Sequence, residues 1–270
     1  MRGLSSDSAG APPTLAPLSV ILITRNEEAN IREWLASVDF ASELVVVDCG
    51  STDATVTLAR AAGARVLVTP DWPGFGAQKN RALDLATQPW VLSLDADERV
   101  TPQLREEILA LVRGGAAAHD AFSVPRRSSF CGQYMAHSGW YPDRVVRLFR
   151  RGTARFSDDL VHERLVTQGS PGQLRGDLLH ATYPDLESML EKLNRYSSAS
   201  AESMFRQGQR SSLGGALLRG WWAFFRTYVL RSGWRDGRMG LVLAVSIAEG
   251  TYYKYLKLWL LSRAPRKQGL

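Results

Sequence analysis

The first half of the chain repeats one pattern: a short β-rich run that stops at a polar loop and is followed by a helical stretch. Residues 18–24, 44–48, 64–68 and 90–94 are such runs. Residues 29–38, 54–62, 75–86 and 101–112 read as helices, the first with Ile31, Trp34, Leu35 and Val38 at helical spacing. Gly63 is placed to end the second, and Thr101 with Pro102 to open the fourth. Residues 44–48 form a continuous apolar run, as expected of a strand covered on both faces. Alternation with helices then predicts an α/β fold with a mostly parallel sheet flanked by helices. Beyond residue 113 the pattern changes. Residues 121–125, 145–149 and 161–167 are strand-like between loops rich in Gly, Pro, Arg and aromatics, and residues 186–206 predict a helix leading out of the domain.

Charge divides the chain unevenly. Its 33 Lys and Arg against 27 Asp and Glu give +6. Residues 206–270 hold twelve basic side chains and two acidic ones, Asp236 and Glu249, a net +10, which leaves −4 for residues 1–205. A basic tail on a slightly acidic body points to a membrane or nucleic-acid surface. Three apolar stretches, 213–218, 221–225 and 239–248, fall short of a spanning helix. Arg219, Arg226, Arg231, Arg235 and Arg238 alternate with Trp, Tyr and Phe, which suits helices lying among lipid headgroups. Anionic membrane is therefore the expected partner and nucleic acid is not; amphipathic helices packed on the domain or on a second subunit are the alternative. Cys49 and Cys131 form neither a metal-like spacing nor a disulfide framework, which favours a reducing compartment. Residues 1–17, rich in Ser, Ala and Pro, read as a disordered leader.

Three loops carry the chemistry, each after the C-terminal end of a predicted strand, where open parallel sheets bind their ligands. Thr24-Arg25-Asn26-Glu27-Glu28-Ala29-Asn30 ends a strand and opens a helix, joining polar side chains to free backbone donors. In Asp48-Cys49-Gly50-Ser51-Thr52-Asp53, Gly50 permits a tight turn, Ser51 or Asp53 can cap the next helix, and Asp48 can accept from a base or ribose. No glycine-rich phosphate fingerprint occurs there, which argues against a dehydrogenase or an NTPase. In Ser93-Leu94-Asp95-Ala96-Asp97-Glu98, two carboxylates one residue apart repel each other unless a cation neutralises them. Mg²⁺ or Mn²⁺ does so while also binding diphosphate oxygens; an acidic loop that merely precedes a helix is the plainer reading.

Together these segments resemble the nucleotide-sugar-binding half of glycosyltransferase family 2, the GT-A fold with its Asp-x-Asp signature. Residues 71–80, Asp-Trp-Pro-Gly-Phe-Gly-Ala-Gln-Lys-Asn, and Phe156 through Val161-His162-Glu163 are similar to a subgroup acting on the inner core of bacterial lipopolysaccharide. Close members are β-1,4-glucosyltransferases acting on a core heptose. The likeness covers roughly residues 18 to 200, with Cys49 standing where Ser is more usual.

The resemblance implies that Thr24, Asn26, Glu27, Asp48 and Asp53 surround a uracil and ribose, with Arg25, Gly50 and Ser51 of the same loops also on the nucleotide-sugar. It implies Asp95 near ribose and metal, Asp97 as the direct metal ligand, and Lys79 with Gln78 near the diphosphate, although a helical lysine can equally be a solvated one. It puts the base at Glu163, where the family carries an acid. Asp143, in the turn Tyr141-Pro142-Asp143-Arg144, is the next candidate, ahead of Asp158 and Asp159. A late histidine completes the metal shell in some GT-A enzymes, which makes His180, and less so His162, a candidate ligand. Arg126, Arg127, Arg144, Arg147, Arg150 and Arg151 can bind phosphates or form a solvated face.

Sugar transfer needs a metal to stabilise the leaving diphosphate and a carboxylate to take the acceptor proton. One base and direct attack invert the anomeric centre. The expectation is thus an inverting enzyme with a GT-A domain over residues 18–205 and a basic aromatic tail over 206–270. It would move a hexose, glucose from UDP-glucose by resemblance, to a lipopolysaccharide-core heptose at the cytoplasmic face of the inner membrane. A polyprenyl phosphate or another cell-surface glycan as acceptor, and a catalytically silent nucleotide-sugar-binding protein, are the alternatives.

Overall fold

The computed structural model describes residues 15–115, 117–157 and 163–263. In chain order the elements are β1 (Ala16–Thr24), α1 (Glu28–Ser37), β2 (Ala41–Asp48), α2 (Thr55–Ala61), β3 (Arg65–Val68), α3 (Phe75–Leu85), β4 (Trp90–Ser93), β5 (Glu98–Val100) and α4 (Pro102–Arg113). There follow β6 (Ala121–Phe130), β7 (Gln133–Tyr134), β8 (Asp143–Arg150), β9 (Ala154–Phe156), β10 (Leu165–Thr167), β11 (Gly172–Gln173) and β12 (Leu178–Tyr183). The chain ends in α5 (Leu186–Arg206), α6 (Leu213–Phe225), a π-helical turn (Arg226–Leu230), a 3-10 turn (Gly233–Asp236) and α7 (Gly237–Arg263). Two compact units emerge, Met1–Val124 with Val146–Gly176, and Pro125–Val145 with Asp177–Leu270.

The first unit holds the parallel sheet that the sequence predicts, ordered β3-β2-β1-β4, with β8 antiparallel to β4. Val45, Val46 and Val47 are fully buried, as the apolar run of β2 requires; each such side chain contributes about 1.5–3 kcal/mol over an exposed one. The core joins Ile21, Val45, Val47 and Val91 to Ala82, Leu83, Phe149 and Phe156. On α4 the Thr101 hydroxyl accepts from Leu104 N at 3.3 Å, Pro102 opens the helix, and Leu104, Ile108 and Val112 are buried at i, i+4 and i+8. Register decides where the loops emerge. Thr24 pairs with Asp48, Asp48 with Val68, and Ile21 with Ser93, so β1, β2 and β4 release their loops along one edge.

The second unit is built on α5, α6 and α7, with β12 parallel to the far end of β6. Its core joins Phe130, Met135, Met189 and Leu243. Ala216, Gly220 and Ala223 are the buried residues of α6. A Cβ on Gly220 would stand 3.1 Å from Tyr252 Cβ and 3.3 Å from Ala248 O, so α6 and α7 approach backbone to backbone. No described helix is long and apolar enough to cross a membrane.

Departures from the sequence reading are local. β1 starts at Ala16 and β2 at Ala41, each earlier than the apolar run suggests. β6 continues through Arg126, Arg127, Ser128 and Ser129, polar residues that read as loop. The strand expected over 161–167 is β10, Leu165–Thr167. Asp158, Asp159 and His162 lie outside the described residues, as do residues 1–14 of the leader.

Candidate active site

The site is assembled in the first unit, beginning with Asp48 at the end of β2. Asp48 is fully buried. It accepts from Thr24 Oγ1 at 3.0 Å, Gly50 N at 2.9 Å, Ser51 N at 2.8 Å and the Ser51 hydroxyl. Gly50 turns the chain at φ +81°. The carboxylate therefore shapes the loop.

Loops 24–30 and 48–55 are then tied across. Asn26 N donates to Ser51 Oγ at 2.8 Å, and Thr52 N to Asn26 Oδ1 at 2.8 Å. Glu27 N donates to Thr55 Oγ1 at 2.8 Å and Glu28 N to Asp53 Oδ2 at 3.1 Å. Asp53 also accepts from Thr55 Oγ1 at 2.6 Å, the main cause of its lowered pKa. Arg25 is exposed beside this joint. Burial raises the pKa of Glu27, Asn30 opposes the rise by donating to it, and repulsion from Asp97 and Asp53 adds to it. Glu27 thus feels Asp97 and Asp53 as like charges.

The acidic turn after β4 is locked from below. Asp95 N donates to Glu98 Oε2 at 3.0 Å, and Glu98 is fully buried. Arg147 Nη2 reaches Asp95 Oδ2 and Glu98 Oε1, both at 2.6 Å. The Arg99 guanidinium donates to Ala96 O at 2.7 Å and to Asn30 O at 2.8 Å, fastening the turn to α1. Burial disfavours the ionised Asp95, but Arg147 and Lys79 outweigh it and hold the carboxyl well below the usual range. The same carboxylates raise the pKa of Arg147 against its burial. Arg147 is thus a buried counter-ion, not a phosphate-binding or solvated arginine.

Lys79 resolves the alternative left open for it. It is 4% exposed, and its ammonium lies 2.9 Å from Asp95 Oδ1 and 3.0 Å from Glu163 Oε1. One cation joins the acidic turn to the candidate base. Gln78, on the same helix, has no exposed surface: its amide donates to Thr69 Oγ1 at 2.6 Å and approaches Cys49 Sγ at 2.9 Å, while Oε1 accepts from Arg81 at 2.9 Å. It braces the loop after β2 from behind.

Sequence reasoning missed the rest of this helix face. Asn80 brackets Phe156, donating to its carbonyl at 2.9 Å and accepting from its amide at 3.0 Å. A Cβ on Gly76 would run into the Ser157 carbonyl. Gly76, Lys79 and Asn80 stand at i, i+3 and i+4, the spacing that could have flagged them as one face. Together they bring the segment carrying Glu163 against α3.

Two candidates belong to the second unit. Asp143 accepts from Arg126 Nε at 3.0 Å and Nη2 at 2.6 Å. His180 Nδ1 lies 3.0 Å from Ser128 Oγ and 2.9 Å from Thr182 Oγ1. Among the described residues no three His, Cys, Asp or Glu side chains gather as a metal-binding group.

The sequence profile of Glycosyl transferase family 2 matches residues 19–167, more than half of the chain. The chain belongs to glycosyltransferase family 2. The lipopolysaccharide core biosynthesis glycosyltransferase LpsC of Rhizobium meliloti (strain 1021) is 34% identical over 255 residues, 89% of this glycosyltransferase and 90% of LpsC. An uncharacterized glycosyltransferase of Rickettsia typhi is 29% identical over 92% of this chain and 89% of its own. Among solved structures, S. aureus TarS 1–349 is 18% identical at a TM-score of 0.46, covering 87% of this chain and 90% of that one. Glucosyl-3-phosphoglycerate synthase from Mycobacterium tuberculosis, in complex with Mn²⁺, uridine-diphosphate and glucosyl-3-phosphoglycerate, is 28% identical at a TM-score of 0.34, covering 42% and 44%. The α/β fold with a mostly parallel sheet, the GT-A class expected from sequence, is the one this family 2 enzyme adopts.

Proposed function

We propose that the enzyme transfers a hexose, glucose by preference, from a UDP-sugar to a heptose of the lipopolysaccharide inner core, with inversion at the anomeric carbon. The observation that carries the mechanism is Lys79, whose single ammonium bridges Asp95 and Glu163. A donor diphosphate at the acidic turn and an acceptor hydroxyl at Glu163 would then lie one side chain apart, the proximity that direct displacement needs. Likeness to LpsC along nearly the whole chain supports the choice of acceptor.

In this reading the joined loops 24–30 and 48–55 cradle uracil and ribose, with Asn26, Glu27 and Asp53 facing the nucleotide and Asp48 holding the loop behind them. Asp97 would hold Mg²⁺ or Mn²⁺, and Asp95, fixed by Arg147 and Lys79, would serve the ribose side. The metal, when bound, supplies Lewis-acid stabilisation of charge on the departing diphosphate. Glu163 takes the acceptor proton, and Lys79 orients it through Oε1. A lipid-anchored acceptor places the work at the cytoplasmic face of the inner membrane.

Radiolabelled UDP-sugars offered with heptose-bearing core acceptors and with polyprenyl phosphate test the reading. Label in the core glycan from UDP-glucose is expected. A product extractable as polyprenyl-phosphate sugar would overturn the acceptor, and turnover unimpaired by Asp97→Ala would overturn the metal site.

A further inference from the structure

Helix α6 is built inside out for a helix in contact with water. Its buried side is small, with Ala216, Gly220 and Ala223 turned to the packed interior and Gly220 laid against Tyr252 and Ala248 of α7. The large apolar side chains face outward. Leu218 is 69% exposed and Trp221 63%, flanked by exposed Leu213, Leu217 and Trp222. Past the helix Val229, Leu230 and Trp234 are exposed as well, Trp234 at 58%. A surface helix in water carries the reverse pattern, with its apolar stripe inward. A contiguous exposed patch of this kind marks a docking surface.

Charge identifies the occupant. Arg219, Arg226, Arg231, Arg235 and Arg238 are exposed along the same segment. The one acid between residues 213 and 241 is Asp236. It is buried and occupied by bonds from Ala136 N and His137 N at 3.1 Å and Ser138 Oγ at 2.9 Å. The face is therefore apolar and uniformly positive. A second copy of the chain meeting it about a two-fold axis would set arginines against arginines. An anionic lipid surface offers the complementary charge, and Trp with Arg at its boundary is the chemistry of the headgroup layer. No described helix is long and apolar enough to cross a membrane, so the contact lies in the membrane plane.

We propose that α6 and the two turns after it form an in-plane docking face for an anionic lipid bilayer, with Leu217, Leu218, Trp221 and Trp234 entering the interface and the arginines pairing with lipid phosphates. The face stands on its own residues; it rests on the reading of a lipid-anchored acceptor only for its purpose, which is to hold the enzyme on the surface that carries that acceptor.

The test uses the full chain and vesicles of phosphatidylcholine with and without phosphatidylglycerol. The wild-type protein is expected to float with the anionic vesicles, less so as salt rises, with a blue shift of tryptophan emission. Leu218→Glu with Trp221→Glu, both on the exposed side, should weaken flotation roughly tenfold or more per residue. Arg219→Gln with Arg226→Gln should remove most of the dependence on phosphatidylglycerol. Failure of the wild type to float would overturn the proposal, as would undiminished flotation of the Leu218/Trp221 variant. A concentration-dependent dimer in light scattering that the same variant abolishes would assign the face to a second copy instead. Asp97→Ala should float normally while losing turnover. A detergent-dispersed acceptor should restore transfer by the Leu218/Trp221 variant, so failure of docking and failure of the transferase reading are seen separately.

Discussion

Arg147→Met is expected to destabilise the enzyme by about 3–5 kcal/mol, because it removes one partner of a buried ionic cluster. The magnitude follows from what is left behind. Glu98 is fully buried and meets the guanidinium at 2.6 Å, so without Arg147 its carboxylate stays dehydrated beside Asp95. Asp95 keeps Lys79 at 2.9 Å and is partly exposed, so the larger loss falls on Glu98. For a protein of this size the melting temperature should drop by about 6–20 °C, measurable by circular dichroism. Adding Glu98→Gln removes that buried charge but keeps an oxygen for Asp95 N, and should recover most of the loss. Acid dependence gives a second readout. Asp95 is held below its unfolded value, so its contribution is complete above about pH 4 and is lost as pH falls through the folded value. Wild-type stability should therefore decline more steeply than the variant's on the acid side. A loss below about 1 kcal/mol in Arg147→Met, against the 3–5 kcal/mol of a broken buried pair, would refute the reasoning, and so would a double variant no more stable than the single.

Glu163→Gln should abolish transfer while UDP-sugar still raises the melting temperature; a near-normal rate would move the base to Asp143, to be tested next as Asp143→Asn. Chelation should stop turnover and Mg²⁺ or Mn²⁺ restore it, whereas activity in excess chelator would contradict the role given to Asp97. Gly76→Ala should lower kcat through displacement of the Glu163 segment, since the added methyl collides with the Ser157 carbonyl; unchanged kinetics would show that the close approach does not position the base. Lys79→Met, which separates Asp95 from Glu163, should cost about 10²-fold or more in kcat, the scale set by misplaced reacting groups, and a rate within a few-fold of wild type would argue against the bridge.

What was legible in the sequence was what neighbouring residues determine. The apolar run of β2, the Thr101-Pro102 start of α4 and the span of α5 all follow from local periodicity and capping, and the structure keeps them. The three polar loops could be placed because each follows a strand in a parallel sheet. The strands β5, β7, β9 and β11 are only two or three residues long, and β12 carries His, Thr and Tyr. Distant pairing makes these strands, and no run of apolar residues announces them. The site divides in the same way. Asp95 and Asp97 stand out within one loop, whereas the burial of Lys79 depends on partners 16 and 84 residues away. Arg147 read as one arginine among six because its carboxylates arrive from the turn after another strand.

The bracket that Asn80 places on Phe156 spans 76 residues, and the Lys79–Glu163 contact spans 84. Contacts that far apart form late, because the intervening chain must first be collapsed and ordered. During synthesis the parallel strands and both aspartates of the acidic turn leave the ribosome well before the segment that α3 clasps. Through that interval the nascent chain holds Lys79 and Asp95 without the Glu163 carboxylate that Lys79 also meets. On the reading that makes Glu163 the base, competence waits for the segment that carries it, and a pause in translation before residue 163 emerges would leave a chain that cannot yet transfer sugar.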